Sequence, residues 1–122
     1  MSAAVEREQR VRRHVAYTYL LGECLKRDPK TGLYLCPSRT WKLICMHEME
    51  RVFDYDLSDI PGFFYDVYRT EEMGGWMVNT PETGFIRPVM DERGRIAQLH
   101  VLTMSLDARP RLLTSKGLPL GS

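Results

Sequence analysis

Apolar positions recur at helical spacing in two stretches of this chain and alternate in several later ones. From about Val5 to Lys26, Val11, Val15, Tyr19, Leu20 and Cys24 follow the helical period, and Ala16, Leu21 and Leu25 widen the stripe. The first turns are so charged that residues 1–16 are expected to form a frayed or extended helix. "RDPKTG" stops it, because Pro29 disfavours helix at Asp28 and Gly32 admits a left-handed residue. "LYLCP" is a short extended run. Ser38 then stands as an N-cap three residues before Trp41 and predicts a second amphipathic helix to about Phe53. On it, Trp41, Ile44, Cys45, Glu48 and Val52 lie on neighbouring rows, whereas Lys42, Met46 and Met49 fall elsewhere.

After the polar turn "DYDLSDIPG", strand-like runs take over. "FFYDVYR" alternates, "GWMVN" is short, and "GFIRPVMD" leads through the turn "DERG" into "ERGRIAQLHVLTMS". Pro88 gives no ladder hydrogen bond, so its run belongs at a sheet edge or a bulge. Gly94 supplies the positive φ that the hairpin turn needs. Phe63, Tyr65 and Phe85 read as core. The expectation is one α+β domain over residues 1–122: two N-terminal helices followed by a small antiparallel sheet of three to four strands.

Length agrees, since 122 residues bury roughly 65% of the unfolded surface. The apolar and charged fractions, 43% and 27%, are ordinary for a globular domain. No apolar run is long enough for a membrane helix, and the charged start is unlike a secretory signal, so a cytoplasmic protein without membrane contact is expected. The net charge of +1 hides an uneven distribution. Residues 1–46 carry nine Lys/Arg against four Asp/Glu, residues 47–72 eight acids against two bases, and residues 87–122 six bases against three acids. Basic ends flanking an acidic middle matter more to a polyanion than the sum does.

Catalytic chemistry finds little support. Cys24, Cys36 and Cys45 are twelve and nine positions apart, unlike the close pairs of structural zinc sites. Cys45 and His47 point about 200° apart on a helix. The cysteines read as small buried residues, and whether they bind zinc with His14 or His47 is left open at this point. No histidine is placed beside a cysteine as its base. Asp54, Asp56 and Asp59 lack the calcium-loop pattern and read as turn residues, and Glu71-Glu72 as a loop pair. "MGGW" lacks the length, helix and lysine of a phosphate loop. The aromatic strands and the C-terminal bases carry more. Arg87, Arg95, Arg109, Arg111 and Lys116 suit phosphate, and Trp76 offers a stacking face for single-stranded nucleic acid.

The ordered series "DLSDIPGFFYD", "GWMVNTPETGFIRPVMDERGRIAQLHVL" and "RPRLLTSKGLP" resembles the primase-like proteins of bacterial plasmids, phages and integrative elements. More distantly it is similar to the N-terminal part of the bacterial DNA primase catalytic core. Pro88, Asp91, Gly94 and Arg95 carry the family hairpin; Pro110, Arg111, Leu113 and Ser115 fall on a later turn. The resemblance covers about residues 54–122, fits 17–53 loosely and leaves the helix before Tyr17 unmatched. Leu112 and Thr114 replace the tyrosine and asparagine of the family turn, and "AQLHVL" replaces a glycine-rich strand.

The resemblance implies a DNA-replication fold forming a basic shoulder for single-stranded template. Its Mg²⁺-binding carboxylates belong to a TOPRIM domain that would begin near Ser122. The expectation is therefore a domain that is not itself an enzyme and carries no cofactor. It would contact single-stranded DNA weakly and salt-sensitively, or dock on a replicative helicase or TOPRIM-containing primase. The alternative is a protein-interaction module, an accessory subunit or phage-encoded inhibitor, that works through acidic residues 47–72.

Overall fold

In a computed structural model, the structure describes residues 2–53, 57–70 and 74–102, together with the backbone of a short strand at 111–112. The fold is α+β, with helices first and antiparallel sheets after. Helix α1, Ala3–Tyr19, starts cleanly, because the Ser2 hydroxyl accepts from Val5 N–H at 3.2 Å. A π-helical turn, Leu20–Cys24, continues it, and Leu25 N–H closes that wider turn on Leu20 O at 3.0 Å. Leu25 is already extended. Asp28 then organises the reversal, accepting from Lys30 N–H and the Thr31 hydroxyl, while Gly32 takes φ +74°.

Strand β1, Tyr34–Leu35, leads into helix α2, Arg39–Phe53, whose first turn is capped by Ser38 Oγ on Trp41 N–H at 3.3 Å. Strands β2, Phe63–Asp66, and β3, Gly75–Val78, form a two-stranded sheet. Strands β4, Phe85–Met90, β5, Ile96–Leu102, and β6, Arg111–Leu112, join β1 in a four-stranded sheet of order β1-β4-β5-β6. The strands thus divide over two sheets instead of one. Pro88 is accommodated as its chemistry demands: β1 covers only Phe85 and Ile86 of β4, so Pro88 faces an open edge, and a register shift follows at Val89/Met90.

Helix α1 packs on β5 and α2 on β3. Tyr17, Leu20, Met46, Met49, Leu57, Ile60, Phe63, Ile86 and Leu99 are the large side chains at the centre of the core. Burying each such side chain contributes about 1.5–3 kcal/mol. The Tyr17 and Phe63 rings lie 6.3 Å apart at 20°, and the Tyr17 hydroxyl donates to Pro61 O, tying α1 to the turn before β2.

Three expectations about faces are corrected. The buried side of α2 is Lys42, Cys45, Met46 and Met49, whereas Ile44 and Val52 are about half exposed. On α1, Val11 and Val15 lie outside and Tyr17 inside. Tyr65 is 57% exposed, not core, although Phe63 two residues earlier is buried. Sequence periodicity finds an apolar row but does not say which of two rows meets a neighbouring element.

Candidate nucleic-acid interface

The β4–β5 turn is held by one carboxylate. Asp91 Oδ1 accepts from the N–H groups of both Arg93 and Arg95, each at 2.9 Å. Asp91 N–H donates to Arg95 O at 2.8 Å, Gly94 N–H donates to Asp91 O, and Gly94 takes φ +76°. The amide of Arg95, foremost, holds the Asp91 carboxyl below its ordinary pKa, and the charges of Arg95 and Arg10 add to this. Arg93 is exposed and Arg95 half-exposed.

Arg10 reaches this turn because α1 runs along β5. His14 Nδ1 accepts from Ile96 N–H at 3.0 Å, and Arg13 donates to Ala97 O at 3.3 Å. The central acid of the turn is thus occupied by backbone amides, and Arg10 of α1 is near enough for its charge to act on that acid.

Farther along the hairpin, Arg87 and His100 are cross-strand partners, with the guanidinium 3.3 Å from His100 Nδ1. Burial, and then the Arg87 charge, push the His100 pKa down, so the ring is neutral at pH 7 and accepts from the guanidinium. The ion pairs of the described residues are Arg12–Asp59 at 2.9 Å, Arg51–Glu48 and Arg69–Glu50. Among the described residues Arg10, Arg87, Arg93 and Arg95 pair with no carboxylate.

The residues expected at the interface are only partly brought together. Arg87 and Arg95 share the β4–β5 hairpin. Arg111 stands opposite Val101 in the sheet register, which places its backbone at the far side of β5; Arg109 and Lys116 lie outside the described residues. Trp76 is on the other sheet. Its backbone N–H donates to Glu50 at 2.9 Å and its ring packs edge-on to Tyr65, with centroids 5.7 Å apart. It is half-buried and does not adjoin the arginines in either sheet's register. The exposed apolar side chains of that region are Tyr65, Val67 and Tyr68, at 57%, 62% and 83%.

The described acids of the middle segment are partly exposed and engaged by other groups of the fold. Glu48 accepts from the Tyr19 hydroxyl and pairs with Arg51, Glu50 holds Arg69 and Trp76, Asp59 holds Arg12, and Asp66 caps Tyr68 N–H at 2.8 Å. Asp54, Asp56 and the Glu71-Glu72 pair lie outside the described residues. All three cysteines are free and buried, and among the described residues no group of three or more His, Cys, Asp or Glu side chains could hold a metal ion.

Sequence reasoning missed Arg10, because the helix bearing it matched nothing, and Arg93, because it reads as ordinary turn filler. It also missed Lys42, a buried amine donating to Thr80 O at 2.7 Å, whose pKa burial lowers. The one available signal for the cluster was the excess of basic residues in both terminal thirds. No protein-family model, curated protein or solved structure matches this chain.

Proposed function

We propose that this chain is a non-catalytic, primase-related domain that contacts the phosphates of single-stranded DNA in the cytoplasm, within the replication machinery of a mobile element such as a phage or plasmid. The observation that carries this reading is the β4–β5 turn, where Asp91 is engaged by the backbone amides of Arg93 and Arg95 and feels the charge of Arg10 from α1. Guanidinium groups without a carboxylate partner are available for bidentate phosphate bonds. A turn pinned by four hydrogen bonds loses little freedom on binding. Arg87, beside a neutral His100, adds an exposed guanidinium on the same hairpin. The resemblance to primase-like proteins rests on an ordered series of three segments that includes this hairpin, and it supplies the partner class, a replicative helicase or TOPRIM-containing primase. No described helix is long and apolar enough to cross a membrane.

Anisotropy of a fluorescein-labelled oligothymidine tests the reading. At about 50 mM salt the Kd is micromolar or weaker, and log K falls with log salt at a slope near −3, as roughly four phosphate contacts on a single strand require. No binding at that salt, or binding indifferent to salt, removes the proposal.

A second reading, a protein-interaction module, is favoured by the exposed Tyr65, Val67 and Tyr68. Its working surface would be aromatic more than acidic, because the described acids are internally engaged. Tyr68→Ala separates the two readings: it leaves DNA affinity unchanged within about twofold under the first, and abolishes partner capture under the second.

A further inference from the structure

We infer that Cys24 and Cys45 form a dithiol site that closes into an intramolecular disulfide when the protein meets a peroxide. The site is built by the π-helical turn. Its extra residue, closed by Leu25 N–H on Leu20 O, delivers Cys24 against α2. Cys45 Sγ lies 3.4 Å from Cys24 O, and Cys24 Sγ lies 3.9 Å from Cys45 O. Trp41 Nε1 donates to the same Cys24 carbonyl at 2.6 Å and fixes the turn against the helix. Each sulfur thus lies against the backbone carbonyl of the other cysteine, which brings the two thiols to one place in the core.

The thiols differ in acidity. The neighbouring Cys24 thiol lowers the Cys45 pKa, while the Cys45 thiol and burial raise that of Cys24. Cys45 thus ionises first and is the attacking sulfur. Its thiolate takes one peroxide oxygen as the O–O bond breaks, and the departing hydroxide leaves as water with the proton that Cys45 gave up. The Cys24 sulfur then attacks the resulting sulfenic acid. The S–S bond forms, the S–O bond breaks, and the second hydroxide leaves as water with the Cys24 proton. Two thiols and one peroxide become one disulfide and two waters, with two electrons passing to the peroxide.

Cys36 stands apart. It follows β1, Lys42 adjoins it, and burial raises its thiol to about 12 despite that neighbouring charge. It is the internal control for non-specific oxidation.

The small, neutral oxidant is the relevant one, because the two cysteines are 5% and 2% exposed. The intact reduced protein is treated with hydrogen peroxide, quenched, unfolded, alkylated and mapped by mass spectrometry, with thermal melts in parallel. Oxidised protein loses two hydrogens, its Cys24 and Cys45 peptides are joined, and Cys36 alone is alkylated. The Tm rises by roughly 10 °C, as expected for closing a loop of this length in a domain of this size, and dithiothreitol reverses it. Cys24→Ser and Cys45→Ser each lose the link. A disulfide that includes Cys36 overturns the inference. So does sulfinic acid at Cys24 or Cys45 without a link, or full alkylation of all three thiols under peroxide that oxidises the unfolded chain.

Discussion

Glu50 on α2 holds the guanidinium of Arg69, whose side chain is 1% exposed, and the same carboxylate oxygen accepts Trp76 N–H at 2.9 Å. One acid thereby fastens the β2–β3 hairpin to the second helix. The guanidinium also donates to Trp76 O and lies against Gly75, where an added Cβ would come 2.1 Å from its central carbon. Breaking a buried pair from one side leaves an uncompensated charge, at a cost of about 3–5 kcal/mol. Arg69→Met is expected near the lower end of that range, because Glu50 is 30% exposed and can rehydrate. Urea denaturation followed by tryptophan fluorescence measures it.

Gly75→Ala is expected to destabilise through the same contact, although its only change is one methyl group. The guanidinium cannot retreat without leaving Glu50 and Trp76. A loss of about 2 kcal/mol is expected, within the range for overpacking. Equal stability of Gly75→Ala and the parent in urea would mean that Arg69 is held more loosely than its contacts indicate.

The arginine turn has a distinct signature. Replacing Arg93 and Arg95 by alanine leaves the melting midpoint nearly unchanged, since both are at least partly exposed and lack carboxylate partners among the described residues. The salt slope of oligonucleotide binding falls by about 0.7 per arginine removed. Arg10→Ala should lower the slope by the same increment, although it lies some eighty positions away in sequence. A slope unaffected by Arg10→Ala would place the DNA elsewhere.

Asp91 links the turn to pH. Its folded pKa is depressed, foremost by the Arg95 amide, so its contribution to stability is fully present above the unfolded value near 4 and is lost as pH falls through the folded value. Asp91→Asn removes that dependence. Its stability, measured in urea between pH 5 and pH 3, should fall less steeply than that of the parent.

His100 carries the opposite kind of group with the same sign of slope. Its folded pKa lies below 6.5, so the unfolded chain binds more protons, and stability declines as pH falls from the unfolded value toward the folded one. A phosphate bound at Arg87 would favour the imidazolium and raise that pKa. Oligonucleotide affinity should therefore strengthen between pH 7 and pH 6 in the parent, and His100→Gln should flatten the dependence.

The amino-acid sequence by itself determined the local elements. Ser38 as cap, Gly32 with positive φ in the turn beyond the first helix, Gly94 in its hairpin turn and Pro88 at an open edge beside a bulge follow from backbone sterics and hydrogen-bonding capacity within a few residues. Only the tertiary structure decided which face of each element meets another. It turned Tyr65 outward and Tyr17 inward, and it divided the strands over two sheets, separating Trp76 from Arg87 and Arg95. It also brought Arg10 to a turn more than eighty residues downstream and Cys24 against Cys45. The physical reason is that short-range steric rules act along the chain, whereas burial and charge proximity depend on long-range packing. A single amphipathic period is compatible with more than one such packing.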